Sequence, residues 1–458
     1  MNPDIFRAYD IRGIADTELT DPVVEKIGQA FATMAIRRGE EIPRIGVGRD
    51  ARDSSERIYM GLEKGLRRAG AHVVDLTTVP TPLTYFATFR QEYDGSIQIT
   101  GSHNPGEFNG FKMMLGKETL HGDTIQQLRQ LIEDDDLISS DEDHGSSAYA
   151  ELRKEYIEWV RDNITMGERK LHIAVDSGNG VAGIVAPELL RDALNVKVHE
   201  LYSQPDGSFP NHHPDPTVEE NLQDLIAAVR EHNCDFGVAY DGDGDRIGVV
   251  DENGEVIWGD QLLIVFARQV LENHPGATII GEVKCSQTLF DDIENKGGNP
   301  IMARVGHSLI KAKLRETNAE LAGEMSGHIF FNDRFFGFDD ALYSTCRLAE
   351  IVSRTHQPFS ALLADVPTTY ATPEIRRPCD EKLKFKIPGY VADLFADDYE
   401  VNTIDGVRVK FNDGWGLVRA SNTQAVVSLR AEGHTPEARD RYIEQLQNAV
   451  DTAEEQLG

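Results

Sequence analysis

One plan of short apolar runs alternating with amphipathic stretches occurs three times in this chain, and that repetition constrains the fold most strongly. In the first copy Ile45-Gly46-Val47 reads as a strand, a helix runs to about Ala69, Val73–Leu76 is a strand, a helix follows Pro82, and a strand ends at Thr100. The second has strands at Leu171–Val175, Val196–Leu201 and Phe236–Tyr240, with helices expected over Val181–Leu194 and Val218–Glu231. The third sets strands at Thr278–Gly281, Ile301–Arg304 and Glu320–Ala322 around helices over Gln287–Asn295 and Ser308–Arg315. Short β-prone runs separated by stretches of helical period specify βαβαβ units in an α/β protein. Each copy then delivers a polar loop: Thr100–Pro105, Asp241–Arg246 and Gly323–His328. Ligands collect beyond the carboxyl ends of such strands, so the three loops are expected to face one cleft.

The last part of the chain reads differently. Gly406–Phe411, Trp415–Arg419 and Val426–Leu429 look like antiparallel strands, and a helix runs from about Pro436 to the end. Four domains are therefore expected, at 1–146, 147–251, 252–367 and 368–458, the first break being placed in the acidic, polar stretch that ends at Ser147. No apolar run is long enough to cross a bilayer, and Asp4, Arg7 and Asp10 stand where a signal peptide needs an apolar core, so a cytoplasmic protein is expected. Cys234, Cys285, Cys346 and Cys379 form no CxxC pair, which argues against a zinc site or a disulfide framework. Acidic residues outnumber basic ones 77 to 46, for a net charge of −31. Such a field disfavours nucleic acid and anionic membranes, and an anionic ligand then requires a local basic pocket.

The three loops carry different chemistry. Ser102 follows Gly101, which leaves the backbone unshielded, and His103 and Asn104 set polar groups beside the hydroxyl before Pro105 ends the strand direction. An Asx-type turn closing a strand is the plainer reading of that segment alone. Asp241, Asp243 and Asp245 alternate with glycines, so in an extended loop the three carboxylates point to one side, as a hard cation such as Mg²⁺ requires. A calcium loop is the rival, but Arg246 stands where that loop needs glycine, and the flanks read as strands. Gly178-Asn179-Gly180-Val181-Ala182-Gly183 matches a dinucleotide fingerprint formally, yet Asp176 before it would repel a pyrophosphate; glycines for a tight turn are preferred. In the last domain the loop Arg419-Ala420-Ser421-Asn422-Thr423-Gln424, with Arg430 one strand away, offers donors suited to a phosphate dianion.

Phe6–Gly13, Thr100–Pro105, Asp241–Arg246, Gly323–His328 and Arg419–Gln424, in that order, resemble the α-D-phosphohexomutase superfamily, specifically its bacterial phosphomannomutase/phosphoglucomutase group. The resemblance covers nearly the whole chain. It implies three mixed-sheet domains and a C-terminal α+β domain, arranged as a heart around a central cleft. It further implies that Ser102 is carried as phosphoserine and holds Mg²⁺ together with Asp241, Asp243 and Asp245. Glu324 and Ser326 would contact sugar hydroxyls, with Met325 at a position where phosphoglucosamine mutases typically carry glutamine. Arg419, Ser421, Asn422 and Thr423 would hold the non-reacting phosphate, with Arg430 beside them. Tyr9, Arg12, Lys112, Arg246, Lys284 and His307 would line the cleft; His103 would stand beside the serine, and His328 is a candidate for proton transfer. The implied reaction is reversible phosphoryl transfer between the 1- and 6-positions of glucose and mannose phosphates through a hexose 1,6-bisphosphate, catalysed by a monomer. Serine plus a carboxylate-bound metal would also suit a sugar-phosphate phosphatase. A catalytically silent sugar-phosphate binder is disfavoured by retention of Ser102 and all three aspartates.

Overall fold

Three parallel strand trios carry the repeated plan, each in the same spatial order, in a computed structural model that describes residues 1–149, 151–421 and 425–458. In the first unit Arg44–Arg49 lies between His72–Thr78 and Gly95–Ile99, parallel to both, and Phe108–Leu115 adds antiparallel to the last. In the second, His172–Asp176 lies between Lys197–Leu201 and Phe236–Tyr240, followed by antiparallel Ile247–Asp251. The third repeats this with Thr278–Glu282 between Asn299–Ala303 and Leu321–Gly323, and Ile329–Phe331 antiparallel. A hairpin after the third parallel strand thus returns the chain across each polar loop and fixes that loop at the carboxyl edge of its sheet.

The fourth unit is an antiparallel sheet ordered Tyr370–Ala371, Val426–Gly433, Gly414–Ala420, Val407–Phe411 and Glu400–Asn402, covered by helices Ile387–Phe395 and Pro436–Leu457. All four cysteines are free thiols. Among the described residues, no helix is long and apolar enough to cross a membrane.

Two expected helices need correction. Val181–Leu194 is not one helix: a 3₁₀ turn at Val181–Ile184 is followed by one α-turn at Ala186–Glu188 and a π-turn at Leu189–Ala193. Pro187 has no N–H to bond the carbonyl four residues back, so a continuous ladder cannot pass it. Glu219–Leu222 is likewise a 3₁₀ turn ahead of the helix Gln223–His232. The break expected at 146 falls inside the short strand Ser146–Ala148, which pairs with His72–Thr78 of the first sheet. The second sheet also runs past 251, because Val256–Ile257 pairs back on Ile247–Asp251.

One hydrophobic core joins the first three units, with Leu83 and Phe86 from the first, Tyr156, Ile173 and Val238 from the second, and Leu262, Ile279 and Phe331 from the third. The fourth unit has its own core around Val409, Val418, Leu429 and Leu446. It docks on the third through polar bonds around a small cluster of Val283, Trp415 and Leu417. Arg408, buried with its guanidinium 3.8 Å from the Trp415 ring centroid, donates to the carbonyls of Val283 at 2.5 Å and Cys285 at 2.7 Å. Ser286 Oγ and Trp415 Nε1 both donate to Glu432 Oε1 at 2.8 Å. Arg408→Ala leaves two buried carbonyls without donors, a loss of about 2–4 kcal/mol. Calorimetry should show the fourth unit unfolding earlier; an unchanged transition would mean that this contact does not hold it.

Candidate active site

The site begins with backbone geometry in the first loop. Ser102 adopts a left-handed φ of 51°, uncommon for a residue with a side chain, and its amide donates to Thr100 Oγ1 at 2.8 Å. This turns the hydroxyl toward the second unit, where Ser102 Oγ donates to Asp241 Oδ2 at 2.8 Å and lies 3.1 Å from His103 Nδ1. Gly242 allows that approach: a Cβ on it would stand 2.4 Å from the Ser102 carbonyl oxygen. Gly180 serves the same packing from the other side, since a Cβ there would stand 2.9 Å from the Gly242 carbonyl oxygen. The glycines of the apparent dinucleotide fingerprint therefore admit a neighbouring loop.

Asp241, Asp243 and Asp245 are each fully buried, and one carboxylate oxygen from each lies within 4.8 Å of the others, an arrangement able to hold a metal ion. Lys112 Nζ, on the strand returning from the serine loop, donates to Asp243 Oδ2 at 2.7 Å and also to Asp245. Thr81 Oγ1, at the start of the helix Thr81–Arg90, donates to the same Asp243 oxygen at 2.5 Å. Among the described residues, Asp243 Oδ1 and Asp245 Oδ1 are buried without a hydrogen-bond donor. Buried anionic oxygens in that state call for a cation, so the donor set fits a hard divalent ion.

Charge in this pocket is strongly perturbed. Burial raises the Asp241 carboxyl well above its usual range, with Asp243 and Asp245 adding to the effect; burial raises Asp245 as well. Burial also opposes ionisation of Asp243, but Lys112 and Thr81 outweigh it and hold that carboxyl low. Burial likewise opposes the Lys112 ammonium, and the carboxylates around it more than compensate. Burial, with Arg246 and Arg12 nearby, keeps His103 well below the ordinary imidazole range.

The third loop joins the second by a short antiparallel bridge between Arg246 and His328, and Arg246 Nε donates to His328 Nε2 at 3.0 Å. Glu324 is held by a bond from the Gly306 amide to its Oε1 at 2.6 Å. Gly306, at φ 129°, precedes His307, and the Tyr9 ring from the first unit lies against it; a Cβ there would come within 2.7 Å of that ring. Burial lowers His307 well below the usual imidazole range, with Lys311 adding to the shift.

Most residues singled out from sequence meet in two adjoining cavities. Tyr9, Arg12, Ser102, Lys112, Arg246, His307 and His328 line one of about 180 Å³. His103, Lys284, Glu324, Met325, Ser326 and Arg430 line a larger cleft of about 1040 Å³, to which Tyr9, Arg246, His307 and His328 also contribute. Arg430 lies against the Met325 sulfur. Residues of all four units, from Tyr9 to Glu432, border this cleft. Arg419 and Ser421 line neither cavity; Arg419 Nε donates to Asp405 Oδ2 at 2.9 Å, and that oxygen also accepts from the Val305 amide at 3.0 Å. Asn422 and Thr423 lie outside the described residues. Thr81, Asp405 and Arg52 escape sequence reasoning because their partners are remote along the chain; Arg52 donates to three carbonyls of the serine loop and to that of Phe108, where the returning strand begins.

A buried serine against a carboxylate triad, ringed by cations where four α/β units meet, places the protein in the phosphohexomutase class. Family models for phosphoglucomutase/phosphomannomutase alpha/beta/alpha domains I, II and III match residues 3–138, 154–254 and 258–370, and the model for the C-terminal domain matches 374–449. The chain belongs to the phosphoglucomutase/phosphomannomutase family and is an enzyme of that type. It is 45% identical to the phosphomannomutase/phosphoglucomutase of Pseudomonas aeruginosa over 454 residues, 99% of this chain and 96% of that one. It is 43% identical to the phosphoglucomutase of Neisseria gonorrhoeae, over 97% of this chain and 95% of that one. A crystal structure of a phosphoglucomutase/phosphomannomutase family protein from Burkholderia thailandensis superposes with a TM-score of 0.92 at 43% identity, covering 99% and 98% of the two chains. The phosphatase alternative finds no support in these relatives.

The contact of Gly242 with Ser102 leads to a test of the site's construction. Gly242→Ala should push the two loops apart, at a cost of about 1–3 kcal/mol for overpacking. Thermal denaturation should show the loss, and a melting temperature equal to that of the parent would mean that the loops do not meet this closely.

Proposed function

We propose that the protein interconverts the 1- and 6-phosphates of glucose and mannose by carrying the phosphoryl group on Ser102. The observation that carries this reading is the bond from Ser102 Oγ to Asp241 Oδ2, which puts the hydroxyl and the metal-competent triad in direct contact. Ser102 is the phosphoserine, and Asp241, Asp243 and Asp245 would hold Mg²⁺ beside it. The metal would supply charge neutralisation on the phosphoryl oxygens in transit.

The side chains then divide the work. Lys112, Arg12 and Arg246 offset the remaining phosphoryl charge in the smaller cavity that they line with Ser102. Transfer breaks the bond between phosphorus and Ser102 Oγ as phosphorus bonds the free sugar hydroxyl oxygen, and the hydroxyl proton passes to His328 Nε2 once Arg246 Nε turns from that nitrogen to the phosphoryl oxygens. Glu324 and Ser326 orient the sugar through its hydroxyls, with Tyr9, Lys284, His307 and Met325 bordering it. The hexose 1,6-bisphosphate so formed reverses its orientation and returns its other phosphate to Ser102. That demands a cradle able to hold either phosphate away from the serine; Arg419, Ser421, Asn422, Thr423 and Arg430 form it. The guanidinium fork suits Arg419 to this role, since Nε can stay on Asp405 while the terminal nitrogens meet phosphate. The fourth unit thereby acts as a lid, and the enzyme works as a cytoplasmic monomer.

Contacts spent on hydroxyls common to both epimers leave C2 unread, so both sugars should react. Coupled assays with glucose 1-phosphate and mannose 1-phosphate should give specificity constants within about a thousandfold, roughly 4 kcal/mol. Ser102→Ala should abolish nearly all turnover in a protein that remains folded. Wild-type turnover in that variant, or release of inorganic phosphate in place of hexose 6-phosphate, would overturn the proposal.

A further inference from the structure

Arg52 touches neither cavity, yet every nitrogen of its buried guanidinium is committed to the serine loop or to the residue that braces it. Nη1 donates to the carbonyls of Pro105 at 2.6 Å and Phe108 at 2.9 Å, Nη2 to those of Ser102 at 2.8 Å and Asn104 at 2.6 Å. Nε donates to Asp50 Oδ2 at 3.1 Å, and the same carboxylate oxygen accepts the Gly101 amide at 3.2 Å. Asp50 Oδ1 is tied in turn by Ser55 Oγ at 2.5 Å. Two glycines clear the space: a Cβ on Gly101 would stand 2.5 Å from Arg52 Cζ, and one on Gly207 of the second unit 2.6 Å from Arg52 Cα. The Phe209 ring, also from the second unit, covers the guanidinium at 5.3 Å.

Two physical consequences follow from this cage. A left-handed serine persists only where its surroundings over-determine it, and bonds to carbonyls from Ser102 through Phe108 do so. The buried guanidinium also offsets the negative ends of the four carbonyl dipoles that it holds, which lessens their repulsion of a nearby phosphate dianion. We propose that Arg52 is the positioning residue that holds Ser102 in its transfer-competent conformation. This rests on the reading of Ser102 as the phosphoryl carrier.

Arg52→Lys keeps the charge but has one nitrogen in place of a fork, so it cannot reach all four carbonyls. Substrate contacts lie elsewhere in the cleft, so the defect should fall on turnover: kcat for glucose 1-phosphate lower by about a hundredfold, as for a displaced reacting group, with KM little changed. The phosphorus resonance of the phosphoserine should shift as its surroundings change. Should Arg52→Lys lose its native thermal transition, Asp50→Asn probes the same cage, removing the acceptor shared by Arg52 Nε and the Gly101 amide, and should give the same split. A folded variant with parental kcat, or a loss confined to KM, would overturn the proposal. Wild-type protein that carries no phosphate on Ser102 would instead overturn the reading of the serine itself.

Discussion

The ammonium of Lys112, buried between Asp243 and Asp245, is the interaction on which the rest of the site depends. It sits on a strand of the first unit and the carboxylates on a loop of the second, so docking of the two units and assembly of the site are one event. Three carboxylates taken out of water repel one another strongly, and one ammonium and the Thr81 hydroxyl compensate for only part of that charge. The remaining negative potential is directed at the serine hydroxyl, which already donates to Asp241. A divalent cation is the charge that such a pocket lacks. A net charge of −31 makes the same point at the scale of the molecule: an anionic ligand approaches against the global field and requires local cations, such as Arg12, Lys112 and Arg246 around the smaller cavity.

Packing distributes stiffness in a way that suits this chemistry. A continuous apolar core locks the first three units together, and with them the serine loop, the carboxylate loop and the Glu324 loop. The fourth unit has a separate core and reaches the third through Arg408, Glu432 and Asp405, contacts that are mostly hydrogen bonds. Interfaces of that kind separate at lower cost than apolar ones, so motion of the fourth unit is compatible with a rigid arrangement of the other three.

Much of this was legible in the sequence because local rules carry it. Strand trios follow from β-prone runs of fixed order, and the carboxylate triad follows from Asp-Gly alternation, which needs no partner to be recognised. The expected helix over Val181–Leu194 failed at Pro187, where the missing N–H outweighs the apolar period. The short edge strands Ser146–Ala148 and Val256–Ile257 add to sheets already formed and have almost no pattern of their own, so the sequence does not mark them. Arg52, Thr81 and Asp405 were not legible at all. Each acts on a loop far away in the chain, as when Thr81 bonds Asp243 across 162 residues. Nothing in the neighbouring sequence marks Arg52 as more than one polar residue ahead of a helix.

The central claim is that Ser102 receives a phosphoryl group because the buried carboxylates place a cation against it. Peptide mapping by mass spectrometry, after incubation with glucose 1,6-bisphosphate in the presence of Mg²⁺, tests this directly. The account predicts one added phosphoryl group, located on Ser102, and little or none when the ion is chelated or when the protein is Asp243→Ala. Phosphate on another residue, or phosphorylation of Asp243→Ala at the parental rate, would contradict it.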